Sequence, residues 1–496
     1  MTPFETELLS RLEASERENV LLRQKLEFLI RRMFGSSSEK ISKDQLELLL
    51  AGPEVPMPPM PPAEPKPVTV AKRSRKERTQ RLPEDLPVVE EVLEPEVVKA
   101  EPEQWRRIGE EVSEQLDYEP GRFFRRRLVR PKYVHKEDRD LAPVVAPLPE
   151  RLLERSLPAP GLLAHILVSK YCDHLPLYRQ EGIYSSRHGV QLQRQTLARW
   201  VELAADWLRP IYQAIRTGVL SGGYVQVDET PIEYLDPGRG KTGQGWLWTA
   251  SRPGGDVVFQ WETSRAASCL DDILPADFTG ILQCDGYGAY PAFVRDRPRP
   301  IKLAGCWAHV RRKFHEARGQ SPKPGGWFLG QIQHLYRIEA MLRGQNAGPK
   351  LRAAVRAGQS RMVVERFHRA LVRVQTRILP KSLLGQAIAY ALGQWQGLTV
   401  YLDDGRVEID NNLVENAIRP TAIGKKNWLF VGEAGAGQRG AILYTIIESC
   451  RRRGIDPYAY LRDVLTRLPN MTNRQVPDLA PAQWAKTLSA QAPIAA

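Results

Sequence analysis

The apolar period of this 496-residue chain changes sharply, from helical to extended, at Gly222-Gly223. Ahead of it, over 162–220, apolar residues recur at helical spacing; beyond it they alternate or run together as strands do. Residues 224–232, 245–250 and 256–262 read as three successive strands, with turn chemistry at Asp236-Pro237-Gly238 and Arg252-Pro253-Gly254-Gly255. A helix over 266–274, a fourth strand over 280–285 and a fifth over 301–306 follow. The fifth leads into a helix carrying His309, Arg311, Arg312 and Lys313.

That order is the order of an RNase H-like fold, in which the first and fourth strands are neighbours. Each of those two strands delivers one acid near its end, in Val225-Gln226-Val227-Asp228-Glu229 and Leu282-Gln283-Cys284-Asp285-Gly286. A third acidic stretch reads Val407-Glu408-Ile409-Asp410-Asn411-Asn412-Leu413-Val414-Glu415-Asn416-Ala417-Ile418-Arg419-Pro420. Two strand-borne aspartates and one helix-borne acid are what a divalent-metal phosphoryl-transfer site needs, because Mg²⁺ takes hard anionic oxygens and keeps positions open. Chemistry does not choose the third acid: Asp403, Asp404, Glu408 and Asp410 compete with Glu415. Asp410 is placed to cap a helix beginning at Asn411, and Glu415 has Arg419 at i+4, so its bland reading is a surface ion pair.

The formal charge of +13 favours a polyanionic partner, and the basic residues cluster. Residues 72–81 hold six Lys/Arg against one Glu, and 122–132 hold six with no acid. Before them, a 4-3-4-3 spacing through Leu8, Leu12, Ser15, Asn19, Leu22, Leu26, Leu29 and Met33 predicts a leucine-rich coiled-coil helix within 1–50 and self-association through it. Residues 51–87 form a Pro-rich and basic linker. Residues 88–146 read as short strands and turns, with Phe123-Phe124-Arg125-Arg126-Arg127 suiting either a DNA-facing ribbon or an amphipathic edge strand. Within 147–222, a helix ended by Gly189, a turn at Val190-Gln191-Leu192 and a helix starting Gln195-Thr196 resemble a helix-turn-helix whose second helix presents Arg194, Thr196 and Arg199 to DNA.

Several motifs together resemble the transposase of the insertion sequence 66 family: Val227-Asp228-Glu229-Thr230, Cys284-Asp285-Gly286-Tyr287, Cys306-Trp307-Ala308-His309-Val310-Arg311-Arg312, the 410–420 segment, Lys426-Asn427-Trp428-Leu429-Phe430 and Gly454-Ile455-Asp456-Pro457-Tyr458. The resemblance runs over nearly the whole chain. It implies a multidomain α+β DDE transposase in which Asp228, Asp285 and Glu415 are the catalytic, metal-binding acids for two Mg²⁺ ions, with Mn²⁺ as a substitute. It implies an RNase H-like α/β core over 223–320 and 401–470, interrupted by an α-helical insertion over 321–400, with a tail over 471–496. Cys306, His309, Asn411 and Asn412 are then active-site-adjacent, and Arg311, Arg312, Lys313, Arg419, Lys425 and Lys426 are DNA contacts. The expected partners are double-stranded DNA at transposon ends and target, further copies of the chain, and companion proteins of the same element.

The family's zinc module has no counterpart in cysteines here, because none lies between Met1 and Tyr171, so no structural zinc is expected in 88–146. That loss keeps open a catalytically silent DNA-binding relic, and a nuclease of the same fold is the other rival. Gly435-Ala436-Gly437-Gln438-Arg439-Gly440 matches a dinucleotide fingerprint, but Asp463 falls in a helix rather than at a strand end, so a turn beside the active site is the better reading. Scattered cysteines, no apolar run of membrane length and a polar N-terminus predict a bacterial cytoplasmic protein, nucleoid-associated when bound to DNA.

Overall fold

The computed structural model describes residues 121–129, 131–133, 144–145, 150–152 and 157–491, apart from 237–239, 296 and 298–299. The leucine-rich helix, the Pro-rich linker and the 72–81 basic run lie outside the described residues. A two-residue ladder, β1 (Lys132–Tyr133) with β2 (Val144–Val145), is antiparallel. Residues 121–129 are not a strand as expected. Phe123 instead seats its ring edge-on against Tyr184 and His188, both at 5.2 Å, while Phe124 stays exposed.

Three helices come next: α1 (Pro160–Tyr171), α2 (Leu177–His188) and α3 (Arg194–Leu220). Gly189 ends α2 in the left-handed region, φ 65°, where a residue without Cβ is favoured. The long α3 is amphipathic, and Leu197, Trp200, Val201, Ala204, Leu208 and Ile215 bury one stripe along its length.

After Gly223 come β3 (Tyr224–Leu235), β4 (Thr242–Ser251) and β5 (Val257–Glu262), an antiparallel meander. The short α4 (Cys269–Ile273), β6 (Gly280–Gln283), α5 (Ala289–Arg295) and β7 (Ile301–Ala304) complete the series. The sheet order is β5-β4-β3-β6-β7. β6 pairs parallel with the start of β3 (Tyr224↔Ile281, Gln226↔Gln283), and β7 pairs parallel with β6. The first and fourth strands of the series are therefore neighbours, as their order required.

From Trp307 to Asp403 the regular elements are helical: α6 (Trp307–Arg318), α7 (Pro322–Gly344), α8 (Pro349–Val355), a π-helical turn (Arg356–Ser360), α9 (Arg361–Gln375), α10 (Leu383–Gly393) and α11 (Trp395–Asp403). They build a second hydrophobic core around Trp307, Phe314, Phe328 and Phe367, joined to the sheet through Tyr224, Ile281 and Ala304. Ile338, Leu342, Leu371 and Ala387 are buried in this region, and Val374, Ile378 and Leu392 are half-buried against the same core.

The chain then returns to the sheet through α12 (Asn412–Trp428), β8 (Phe430–Val431) and α13 (Ala434–Arg452), followed by α14 (Pro457–Arg467) and α15 (Pro481–Gln491). β8 pairs parallel with the far end of β3, Glu233↔Phe430. Helix α13 lies along β5, the edge strand, and its side chains take the hydrogen bonds a further strand would have made. Phe259 N–H donates to Thr445 Oγ1 (2.9 Å), Trp261 N–H to Gln438 Oε1 (3.1 Å) and Val257 N–H to Ser449 Oγ (3.4 Å). The glycine-rich 435–440 stretch is not the expected turn but the first part of α13. A Cβ on Gly437 would fall onto the Trp261 indole, so glycine there is a packing requirement and not a nucleotide fingerprint.

Candidate active site

Asp228 sits in the middle of β3, opposite Thr249 on β4. Asp285 follows β6, where its Oδ1 accepts from Tyr287 N–H at 2.9 Å. Because β3 and β6 run parallel and adjacent, their acids converge at the same end. Burial, then the neighbouring Glu229 charge, holds the Asp228 carboxyl up at about 8, and Glu415 and Asp285 push in the same direction. Asp228 is therefore within electrostatic reach of both other expected acids.

Glu229 and the residues around it were not anticipated. Its buried carboxylate accepts from Arg265 Nε (2.8 Å) and from the Tyr290 hydroxyl (2.6 Å). Arg265 in turn stacks on Tyr287, 3.7 Å from its centroid, and on Trp246 at 4.8 Å. An acid beside Asp228 is thus neutralised by a stacked guanidinium, leaving Asp228 as the free strand acid. Its signal in the sequence was the Asp-Glu pair itself, since alternation on a strand sends the two to opposite faces.

The five acids competing for the third position are in unlike states. Asp403 pairs with Arg361 at 2.8 Å and Asp404 with Arg406 at 2.7 Å, the latter bond holding the Asp404 carboxyl low. Glu408 pairs with Arg352 at 2.8 Å. Asp410 accepts from Asn412 N–H (3.1 Å), Asn412 Nδ2 (2.9 Å) and the Tyr336 hydroxyl (2.6 Å). It therefore bonds the first N–H of α12, but the helix begins at Asn412, one residue later than expected, and its N-cap is Asn411, whose side chain makes no capping bond. Glu415 Oε1 alone of these is buried without a hydrogen-bond partner. Its nearest basic side chains are not Arg419 but His309 (3.8 Å) and Arg312 (3.9 Å).

The loop that leads to Glu415 is tied from both sides. From the sheet, Gln226 donates to Asp410 O (2.9 Å), Gln283 to Glu408 O (2.9 Å) and Gly305 O (3.1 Å), and Glu408 N–H donates to the Tyr224 hydroxyl (2.9 Å). From the helical region, the π-helical turn points Arg356 inward, where it is fully buried. It donates to Glu339 (2.7 Å) and to the carbonyls of Tyr401, Asp404 and Val407 at 2.8, 3.2 and 2.9 Å. Sequence reasoning passed over Gln226 and Gln283, although polar residues inside apolar strand runs must find partners.

Of the expected DNA contacts, Arg194 and Arg199 are exposed on the first turns of α3 and Thr196 is half-buried. Arg311, Arg312 and Lys313 are exposed on α6, and Arg419 and Lys426 on α12; Lys425 donates to Pro231 O at 3.2 Å. Helix α6 starts from the buried Cys306 and carries His309 toward Glu415. Asn411 is fully buried, and Asn412 is exposed.

In kind, the three carboxylates suit a hard divalent cation, and the charges of Glu415 and Asp285 on the buried Asp228 are what an ion would relieve, although among the described residues their oxygens are not gathered as closely as the ligand atoms of Cys306, His309 and Glu415 are.

A model described as the transposase IS66 family matches residues 155–439, and one described as the IS66 C-terminal element matches 445–482. The chain belongs to the IS66 transposase family. A further match, to a transposase C of IS166 homeodomain, covers residues 21–90, outside the described ones. Among curated relatives, the uncharacterized protein y4qI of Sinorhizobium fredii is 39% identical over 77% of this chain and 72% of its own length. Two more from the same organism, y4jD and y4hP, are 36% and 30% identical over 81% and 96% of the chain, covering 81% and 91% of their own lengths. Membership of the IS66 family makes this a DNA-processing enzyme of an insertion sequence, with DNA-binding regions. Among the described residues no helix is long and apolar enough to cross a membrane.

Proposed function

We propose that this IS66 family member is a DDE transposase that cleaves phosphodiesters at the ends of its insertion sequence and joins the freed 3′-hydroxyls to target DNA. The observation that carries this reading is the state of Glu415: among five acids near it in sequence, it keeps an unpartnered buried oxygen while its charge reaches Asp228. The strand order β5-β4-β3-β6-β7 supports an RNase H-like core. In this reading Asp228, Asp285 and Glu415 would together hold two divalent ions. Mg²⁺, or Mn²⁺, bound there would supply an activated water or 3′-hydroxyl and a Lewis-acid partner for the leaving oxygen.

The remaining assignments follow from charge and placement. Arg311, Arg312, Lys313, Arg419 and Lys426 lie exposed on the two helices that flank Glu415 and would hold phosphates of double-stranded DNA. Arg194, Thr196 and Arg199 on α3 would contribute a second contact. Self-association through the leucine-rich helix and companion proteins of the element belong to the same reading.

Full-length protein given DNA bearing its own element's ends and Mg²⁺ should nick those ends and yield strand-transfer products. Asp228→Ala, Asp285→Ala and Glu415→Ala should each lose several kcal/mol of transition-state stabilisation, on the order of a thousandfold in rate. Cleavage that survives Asp228→Ala would sink the assignment, and nicking without strand transfer would favour a nuclease.

A further inference from the structure

Glu415 shares its surroundings with two side chains that hard-oxygen chemistry does not require. A sulfur from Cys306, an imidazole nitrogen from His309 and a carboxylate oxygen from Glu415 all lie within 4.8 Å of one another. C-x-x-H spacing alone offers two ligands; the fold brings the third from another helix.

Two of the three atoms are spare. His309 Nδ1 and Glu415 Oε1 face each other at 3.8 Å, both are shut off from solvent, and neither has a hydrogen-bond partner. Buried polar atoms are almost always satisfied, and two facing orphans mark a place where something binds. The third is buried too, since Cys306 is 3% exposed and sits at the base of α6. One S, one N and one O ligand with a fourth position open is a zinc-like donor set, whereas Mg²⁺ avoids sulfur.

We infer that Cys306, His309 and Glu415 form a site for a borderline-soft divalent cation, Zn²⁺ by chemistry, with its fourth position open to water or a phosphate oxygen. Binding releases the Cys306 thiol proton to solvent. Glu415 then stands between two donor sets, carboxylates on one side and Cys/His on the other. A cation held by the second set engages the acid that the first set needs, so Zn²⁺ opposes Mg²⁺-supported cleavage. That consequence rests on the function proposed above; the binding itself does not.

The test uses full-length protein stripped with chelator and titrated with Co²⁺, a spectroscopic stand-in for Zn²⁺. A thiolate-to-cobalt charge-transfer band should grow to one equivalent, and Zn²⁺ should bleach it while excess Mg²⁺ does not. Cys306→Ser should abolish the band, and Cys284→Ser, a buried thiol outside the group, should keep it. His309→Asn should weaken Zn²⁺ binding by more than the roughly 10–100-fold that loss of an outer partner costs, which reads the same site even if Cys306→Ser fails to fold. Asp228→Asn should bind Zn²⁺ unchanged while failing to cleave, which separates this inference from the catalytic one. No band in the wild type, a band that survives Cys306→Ser, or unchanged affinity in His309→Asn would overturn it.

Discussion

The sheet and the helical region solve the same problem, holding an acid in place, by opposite means. Asp228 and Asp285 are fixed by strand register: once β3 pairs with β4 and β6, their positions follow from the backbone ladder itself. Glu415 belongs to neither strand. Its place depends on polar ties from distant parts of the chain, Gln226 and Gln283 on one side and the fully buried Arg356–Glu339 pair on the other. Backbone ladders are cooperative and tolerate single losses, whereas a buried ion pair does not. The third acid is therefore the adjustable member of the set.

The sharpest way to break that comparison is Glu339→Ala. It leaves Arg356 charged and buried without its partner, at a cost of roughly 3–5 kcal/mol, read by denaturant unfolding. Hydrogen exchange should show lost protection in helices α7 to α11 with the β3–β5 meander unaffected. Equal loss in both would mean that the two regions are one cooperative unit. Tyr336→Phe should be milder, about 1.5–3 kcal/mol for a hydrogen bond to a charged acceptor. It should reduce cleavage through Asp410 and the start of α12 without moving the sheet, and an unchanged rate would show that Asp410 does not position Glu415.

A pH dependence confined to the sheet acids sharpens the comparison from the other side. The folded Asp228 carboxyl is raised to about 8, above its unfolded value of about 3.9. Between those values the metal-free fold holds a proton that the unfolded chain has released, so stability falls as pH rises from about 4 to about 8. Asp228→Asn removes this dependence and should melt roughly a few degrees higher than wild type at pH 8 and level with it near pH 4. A melting difference that is the same at both pH values would contradict the burial and like-charge origin of the shift.

The strand meander, the helix-rich segment and the placing of two acids at strand ends were legible because periodicity reports burial and strand ends report polarity. The third acid was legible only through a motif. Its physical warrant, the pairing of Asp403, Asp404, Glu408 and Asp410, depends on partners such as Arg361, Arg352 and Tyr336 that no local pattern links to them. The 435–440 glycines misled for the same reason, since the tryptophan that demands Gly437 lies on a different strand. Phe123-Phe124 read as strand because alternation does not reveal that Phe123 docks on α2 instead of pairing.

The three hydrogen bonds from β5 to α13 bear on how this protein survives in a crowded cell. Gln438, Thr445 and Ser449 occupy the N–H groups of alternate residues along an apolar edge, Val257-Val258-Phe259, that would otherwise template another chain. Replacing Thr445 with valine and Ser449 with alanine would nearly keep the packing volume while uncapping that edge. Insoluble, intermolecular β-structure would then precede any loss of the folded monomer's chemistry.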